Sequence, residues 1–213
     1  MADTEKEPDL EAAYGLDGPD ANKALYRAWA ASYDADFVAA SGYRLARRVA
    51  EKFVEAGGQG PVLDVGCGTG QVAEFLPASM VVDGLDLSPD MLKVAGEKGR
   101  YRTLFERDVT LDLGLPRASY AGWVSAGTFT HGHVGPAALP RLVGLLQRGG
   151  IGVFSGNSEF FAAAGFEAVL RDMVAQRVID DLIIDEEMIY ENQASAPKGH
   201  GQDRGKLITF RAI

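Results

Sequence analysis

The chain has 213 residues, 46% hydrophobic and 24% charged, which suits one globular domain with a sizeable core and is too short for two full ones. With 30 acidic against 21 basic side chains the formal charge is −9, which repels phosphate backbones and argues against nucleic acid as a partner. Cys67 is the single cysteine, so an internal disulfide and a cysteine-built zinc site are excluded and a cytoplasmic location is expected.

Met1 to Leu10 is acidic, unlike the basic start of a signal peptide, and no run of about 18 apolar residues offers a membrane span. Residues 1–18 are turn-rich and poor in branched apolar side chains, which predicts a mobile tail. Between Ala21 and Phe37, the residues Ala24, Leu25, Ala28, Trp29, Ser32 and Tyr33 recur at steps of three and four, predicting a helix with one apolar stripe. A second helix is expected from Tyr43 to Ala56, with Gly57-Gly58 as its stop. Residues 19–58 thus form an N-terminal helical unit ahead of a core over 59–213.

That core opens on Pro61-Val62-Leu63-Asp64-Val65, an apolar run typical of a strand covered on both faces, followed at once by Gly66-Cys67-Gly68-Thr69-Gly70. Alternate glycines allow a tight turn whose backbone N–H groups can approach a ligand. A short helix from Gln71 to Leu76 is closed by Pro77, and Val81 to Leu87 is the second strand. Its Asp86 lies about 20 residues beyond Gly66, where nucleotide-binding α/β folds place a carboxylate for ribose hydroxyls. Ser88-Pro89-Asp90 then reads as an N-cap, a proline at the first helical position and an acidic first turn of a helix ending near Gly99.

A third strand is expected from Tyr101 to Arg107 and a fourth from Tyr120 to Ser125, then a loop over 126–135. Next come a helix from Pro136 to Arg148, a fifth strand from Gly150 to Phe154, and one helix from Ser158 to Arg177. Leu182 to Glu191 and Lys206 to Ala212 form an antiparallel hairpin. Strands alternating with helices predict an α/β fold with a mostly parallel sheet.

Taken together, Asp64-Val-Gly66-Cys-Gly68-Thr-Gly70, Gly84-Leu-Asp86-Leu-Ser88-Pro89-Asp90-Met91 and Asp108-Val109 resemble the successive motifs of class I S-adenosylmethionine-dependent methyltransferases. A nicotinamide-dependent oxidoreductase, the alternative on a similar fold, more often carries G-x-G-x-x-G. Upstream, Tyr26-Arg-Ala-Trp29-Ala-Ala-Ser-Tyr33-Asp34 is similar to the Y-x-x-W-A-x-x-Y-D segment of many small-molecule methyltransferases.

The resemblance implies a Rossmann-like, seven-stranded sheet ending in an antiparallel hairpin, with S-adenosyl-L-methionine bound at its carboxyl edge. On that basis Gly66, Gly68 and Gly70 pass close to the methionine part of the cofactor, and Asp64 orients the loop or meets the cofactor's ammonium group. Asp86 accepts from the two ribose hydroxyls, Leu87 and Met91 cover the adenine faces, and Asp108 accepts from its amino group beside the Val109 N–H. Tyr33 and Ser125 complete the implied cofactor contacts. Without the resemblance, Trp29 and Tyr33 are packing residues of an apolar stripe.

His131 and His133 fall in the loop after strand four, where such sheets bind ligands, and either suits a general base near neutral pH. Lining the pocket is the competing reading. Methyl transfer from a sulfonium chiefly needs in-line positioning, and a protein that binds the cofactor without catalysis remains an alternative on this fold. The H-x-H spacing lacks a third ligand, so no metal is expected.

Ser125-Ala-Gly-Thr-Phe-Thr departs from the Asn/Asp-Pro-Pro-aromatic segment of amide and exocyclic-nitrogen methylating enzymes, and there is no Pro-Cys motif for cytosine methylation. The implied acceptor is therefore a small molecule. The helices of 19–58, the histidine loop and the loop 192–204 form the implied lid, and a homodimer is the candidate assembly.

Overall fold

The computed structural model describes residues 41–130, 134–191, 196–197 and 199–213. The expected tail and first helix, with Trp29 and Tyr33, lie outside the described residues, as do His131, His133 and part of the loop 192–204. Among the described residues, no helix is long and apolar enough to cross a membrane.

Helix α1 (Leu45–Glu55) leads into β1 (Val62–Val65), α2 (Gln71–Phe75), β2 (Val82–Asp86), α3 (Pro89–Glu97), β3 (Thr103–Glu106) and β4 (Tyr120–Phe129). A 3₁₀ turn over Pro136–Ala138 and α4 (Leu139–Val143) precede β5 (Leu146–Asn157), α5 (Ser158–Ala163), α6 (Phe166–Ala175), β6 (Ile179–Met188) and β7 (Arg204–Ala212). The seven strands lie in the order β3-β2-β1-β4-β5-β7-β6. β3, β2, β1, β4 and β5 run parallel, whereas β7 is antiparallel to both β5 and β6. This is the mixed sheet expected, with its hairpin at one edge.

Each face buries its own cluster, which is why β1 reads as an unbroken apolar run apart from Asp64. On one face Ala46, Val49 and Phe53 of α1 and Val72 of α2 meet Val62, Val124, Val153 and Leu207. On the other, Phe161 and Phe166 pack with Trp123, Phe154 and Phe210. Phe53 fills the space that a Cβ on either Gly58 or Gly122 would need, so helix and sheet interlock at one ring. Phe53→Ala is expected to cost about 3–5 kcal/mol, read as a lower midpoint in urea unfolding with an unchanged slope.

Three elements differ from the sequence reading. The helix expected over 136–148 ends at Val143; Leu146 begins β5 opposite Tyr120, because Gly144 caps the helix and Ser119 and Tyr120 N–H groups take the Leu145 carbonyl. The long helix over 158–177 is two helices. Gly165, at φ 77°, turns the chain between them and stacks Phe161 on Phe166 with ring centroids 5.3 Å apart. Strand β4 runs on to Phe129 through residues expected to be loop. Ser125 pairs with Phe154 and Phe129 with Gly156, so residues 126–128 bulge opposite Ser155, with Gly127 at φ 81°.

Candidate functional site

All five parallel strands deliver their carboxyl ends to one edge, and the β1 turn sits at its centre. Gly66, Gly68 and Gly70 have φ of 65°, 53° and 93°, the left-handed region where a side chain is strained. The Cys67 N–H donates to the Leu85 carbonyl at 3.0 Å, and the Gly70 N–H donates to the Cys67 carbonyl at 2.8 Å, so the turn is pinned to β2 and closed on itself. A Cβ on Gly66 would collide with the Thr128 side chain, and one on Gly70 would stand 3.0 Å from Tyr101 Cε2. A Cβ on Gly68 would meet nothing within 4 Å among the described residues. The turn is therefore braced at both ends and open in the middle.

Asp86 ends β2 directly beside this opening. Its Oδ2 accepts from the Gly68 N–H at 2.8 Å and its Oδ1 from the Ser88 N–H at 2.9 Å. One carboxylate thus ties the middle of the glycine turn to the start of α3, where Ser88 Oγ caps the helix by accepting from the Met91 N–H at 3.3 Å. Burial raises the Asp86 carboxyl above its ordinary range, and the N–H groups of Ser88, Gly68 and Leu87 pull it back. Each oxygen accepts one backbone bond and retains a lone pair for a ligand.

Asp64 is fully buried on β1. Its Oδ2 accepts from the Tyr101 hydroxyl at 2.7 Å, while Oδ1 has no partner. Burial pushes this carboxyl up to about 7; the Tyr101 hydrogen bond opposes the rise and the Asp86 charge adds to it. Burial likewise raises the Cys67 thiol, with the neighbouring Asp64 and Asp86 charges adding, so it is held as an inert thiol.

The remaining candidates divide by place. Leu87 is half-buried beside Asp86, and Met91 is only 2% exposed. Asp108 Oδ1 accepts from both the Thr110 N–H at 2.8 Å and the Thr110 hydroxyl at 2.6 Å, folding the chain after β3 into a tight turn. Buried Val109 is tied in by Arg141, whose Nη1 donates to its carbonyl at 3.2 Å. Ser125 is buried and its hydroxyl donates to the Val65 carbonyl at 2.7 Å, so it acts on the turn from below. Thr128, from the β4 bulge, donates to the same carbonyl at 3.1 Å. Tyr101 and Thr128 were missed in the sequence; the signal for both was adjacency to β2 and β1 in a parallel sheet, which chain order alone does not give.

Residues 62–150 match the family described as a methyltransferase domain. Among curated proteins none matches the chain. The [4+2]-cyclase SpnF is 16% identical with a TM-score of 0.66, covering 92% of this chain and 97% of its own. An S-adenosylmethionine dependent methyltransferase from Mesorhizobium loti is 19% identical with a TM-score of 0.52, covering 72% of this chain and 91% of its own. The magnesium protoporphyrin IX methyltransferase of Synechocystis PCC 6803, solved with bound S-adenosylhomocysteine, is 17% identical with a TM-score of 0.55, covering 79% of this chain and 81% of its own. The strand order, the glycine turn at the end of β1 and these likenesses give the chain the class I methyltransferase fold.

Proposed function

We propose that this protein is an S-adenosylmethionine-dependent methyltransferase acting on a small acceptor. The observation that carries the reading is Asp86, bonded to the Gly68 and Ser88 N–H groups at the point of the turn where an added Cβ would meet none of the described residues. The donor set fits the group: a buried carboxylate oxygen without a partner, a second carboxylate with spare lone pairs, and a glycine whose missing Cβ leaves room for a ligand. When bound, the cofactor supplies a methyl group on a cationic sulfur, already activated for displacement.

What the chain's own residues do is bind and orient. Asp86 takes a vicinal diol with both oxygens, Leu87 covers one purine face and Met91 backs the other side. Asp108 and the Val109 N–H meet the purine edge, and Asp64 complements positive charge. Ser125 and Thr128 hold the Val65 carbonyl and so fix the direction in which the turn leaves β1. His131 or His133 removes the proton from the acceptor, and Tyr33 of the N-terminal segment contributes a further cofactor contact. A cytoplasmic enzyme with no nucleic-acid partner accords with the charge of −9.

Isothermal titration with S-adenosylhomocysteine tests this directly. Binding with Kd below about 100 µM, about −5.5 kcal/mol, is expected, while NAD and NADP give no heat. Absence of binding to S-adenosylmethionine and S-adenosylhomocysteine at millimolar ligand overturns the proposal.

A further inference from the structure

Tyr101 lies between α3 and β3, away from the glycine turn in sequence, yet its ring occupies the space beneath it. A Cβ on Gly70 would stand 3.0 Å from Tyr101 Cε2, and one on Gly84 of β2 would stand 2.9 Å from Tyr101 Cε1. Two glycines, one in the turn and one in the neighbouring strand, thus make room for a single phenol. That placement sets its hydroxyl 2.7 Å from Asp64 Oδ2. Asp64 is fully buried, and its other oxygen has no partner.

The geometry points to Tyr101 as a positioning residue, which holds Asp64 under the glycine turn so that the unpartnered Oδ1 is presented to a positively charged N–H donor of the bound cofactor. This rests on the cofactor reading above. Among the described residues, the titratable groups facing Asp64 are Tyr101, Asp86 and Cys67, none of them a cation. A buried carboxylate among acids is incomplete without positive charge, and the cofactor carries it.

Two consequences follow in sign. Asp64 has its carboxyl at about 7, so its charged form grows in as pH rises through neutrality. If that form accepts the ligand, affinity for S-adenosylhomocysteine rises about ten-fold between pH 6 and pH 8, as the ionised fraction climbs from about one-tenth to nine-tenths. Tyr101→Phe removes the hydrogen bond that favours the charged form, so the midpoint moves upward. At pH 7 the variant binds about ten-fold more weakly, and it approaches wild type at pH 9.

The experiment is isothermal titration of the full chain with S-adenosylhomocysteine at several pH values, for wild type, Tyr101→Phe and Asp64→Asn. The expected result is a rising wild-type profile, an upward-shifted profile for Tyr101→Phe and a flat one for Asp64→Asn. A wild-type protein that binds with a flat profile overturns the inference while leaving the cofactor reading intact, and needs no variant to fold. So does a Tyr101→Phe protein whose affinity falls equally at every pH, or does not fall. A wild-type protein that binds neither S-adenosylmethionine nor S-adenosylhomocysteine overturns both.

Discussion

Asp86→Ala is expected to weaken S-adenosylhomocysteine binding about 100-fold, about 2.7 kcal/mol, with little change in the far-ultraviolet circular dichroism of the free protein. The size follows from what one carboxylate holds. Its oxygens accept the Gly68 N–H at 2.8 Å and the Ser88 N–H at 2.9 Å, so truncation releases the centre of the glycine turn from the start of α3 and also deletes the acceptors for a diol. Hydrogen bonds to a charged group contribute about 1.5–3 kcal/mol each, and those to the backbone are lost in free and bound protein alike. The binding loss therefore reports the diol contacts and the poorer order of the turn.

Asp86→Asn separates charge from shape. A carboxamide has one acceptor oxygen and one donating nitrogen, and both of its ends face backbone N–H groups, so one end must set donor against donor. The asparagine variant is expected to recover less than ten-fold of the alanine loss. Calorimetry checks both, and wild-type affinity in either variant would reject Asp86 as the ribose acceptor.

The parts of this site legible in the sequence were those written locally. Strand β1, the alternating glycines and the Ser88 cap each depend on a few consecutive residues, and Asp86 follows at a distance set by one turn, one short helix and one strand. Tyr101 and Thr128 were illegible because their roles exist only after pairing. Arg102 donates its N–H to the Val82 carbonyl as the chain enters β3, which fixes Tyr101 beside Asp64, whereas Thr128 reaches the Val65 carbonyl only because β4 bulges opposite Ser155.

The helix over 158–177 misled for a different reason. Its four-residue spacing of Phe161, Gly165, Val169 and Met173 is real, but Gly165 at φ 77° cannot be helical, and what it gains is the stacking of Phe161 on Phe166. Leu142, Val143, Leu145 and Leu146 are all buried and fit a helix stripe equally well. Only the partnership of Leu146 with Tyr120 decides for a strand. Periodicity records burial, and burial is shared by both solutions.

Gly66→Ala and Gly68→Ala should fail in opposite ways. Both glycines lie in the left-handed region, at φ 65° and 53°, so an alanine at either costs about 1–2 kcal/mol in backbone strain. They differ in what the new methyl meets. At Gly66 it would collide with Thr128 Oγ1 and stand 2.8 Å from Thr128 Cγ2, the side chain that bonds the Val65 carbonyl. Overpacking of that kind adds about 1–3 kcal/mol, so a total loss near 3 kcal/mol and a fall in Tm of about 6–12 °C are expected. At Gly68 the methyl meets none of the described residues within 4 Å, so Tm falls by only about 3–6 °C. There the methyl occupies the opening beside Asp86, and affinity for S-adenosylhomocysteine should drop at least about 30-fold, about 2 kcal/mol. Adding Thr128→Ala to Gly66→Ala removes the two colliding atoms, though the Cβ that remains would still stand 3.0 Å away. About half of the lost stability should return, the backbone strain persisting, whereas the same addition to Gly68→Ala should restore no binding. Thermal unfolding and calorimetry on the four proteins check the crossed pattern. A Gly68→Ala protein that binds like wild type would remove the open face of the turn from the cofactor site, and equal Tm values for the two glycine variants would remove Thr128 as its brace.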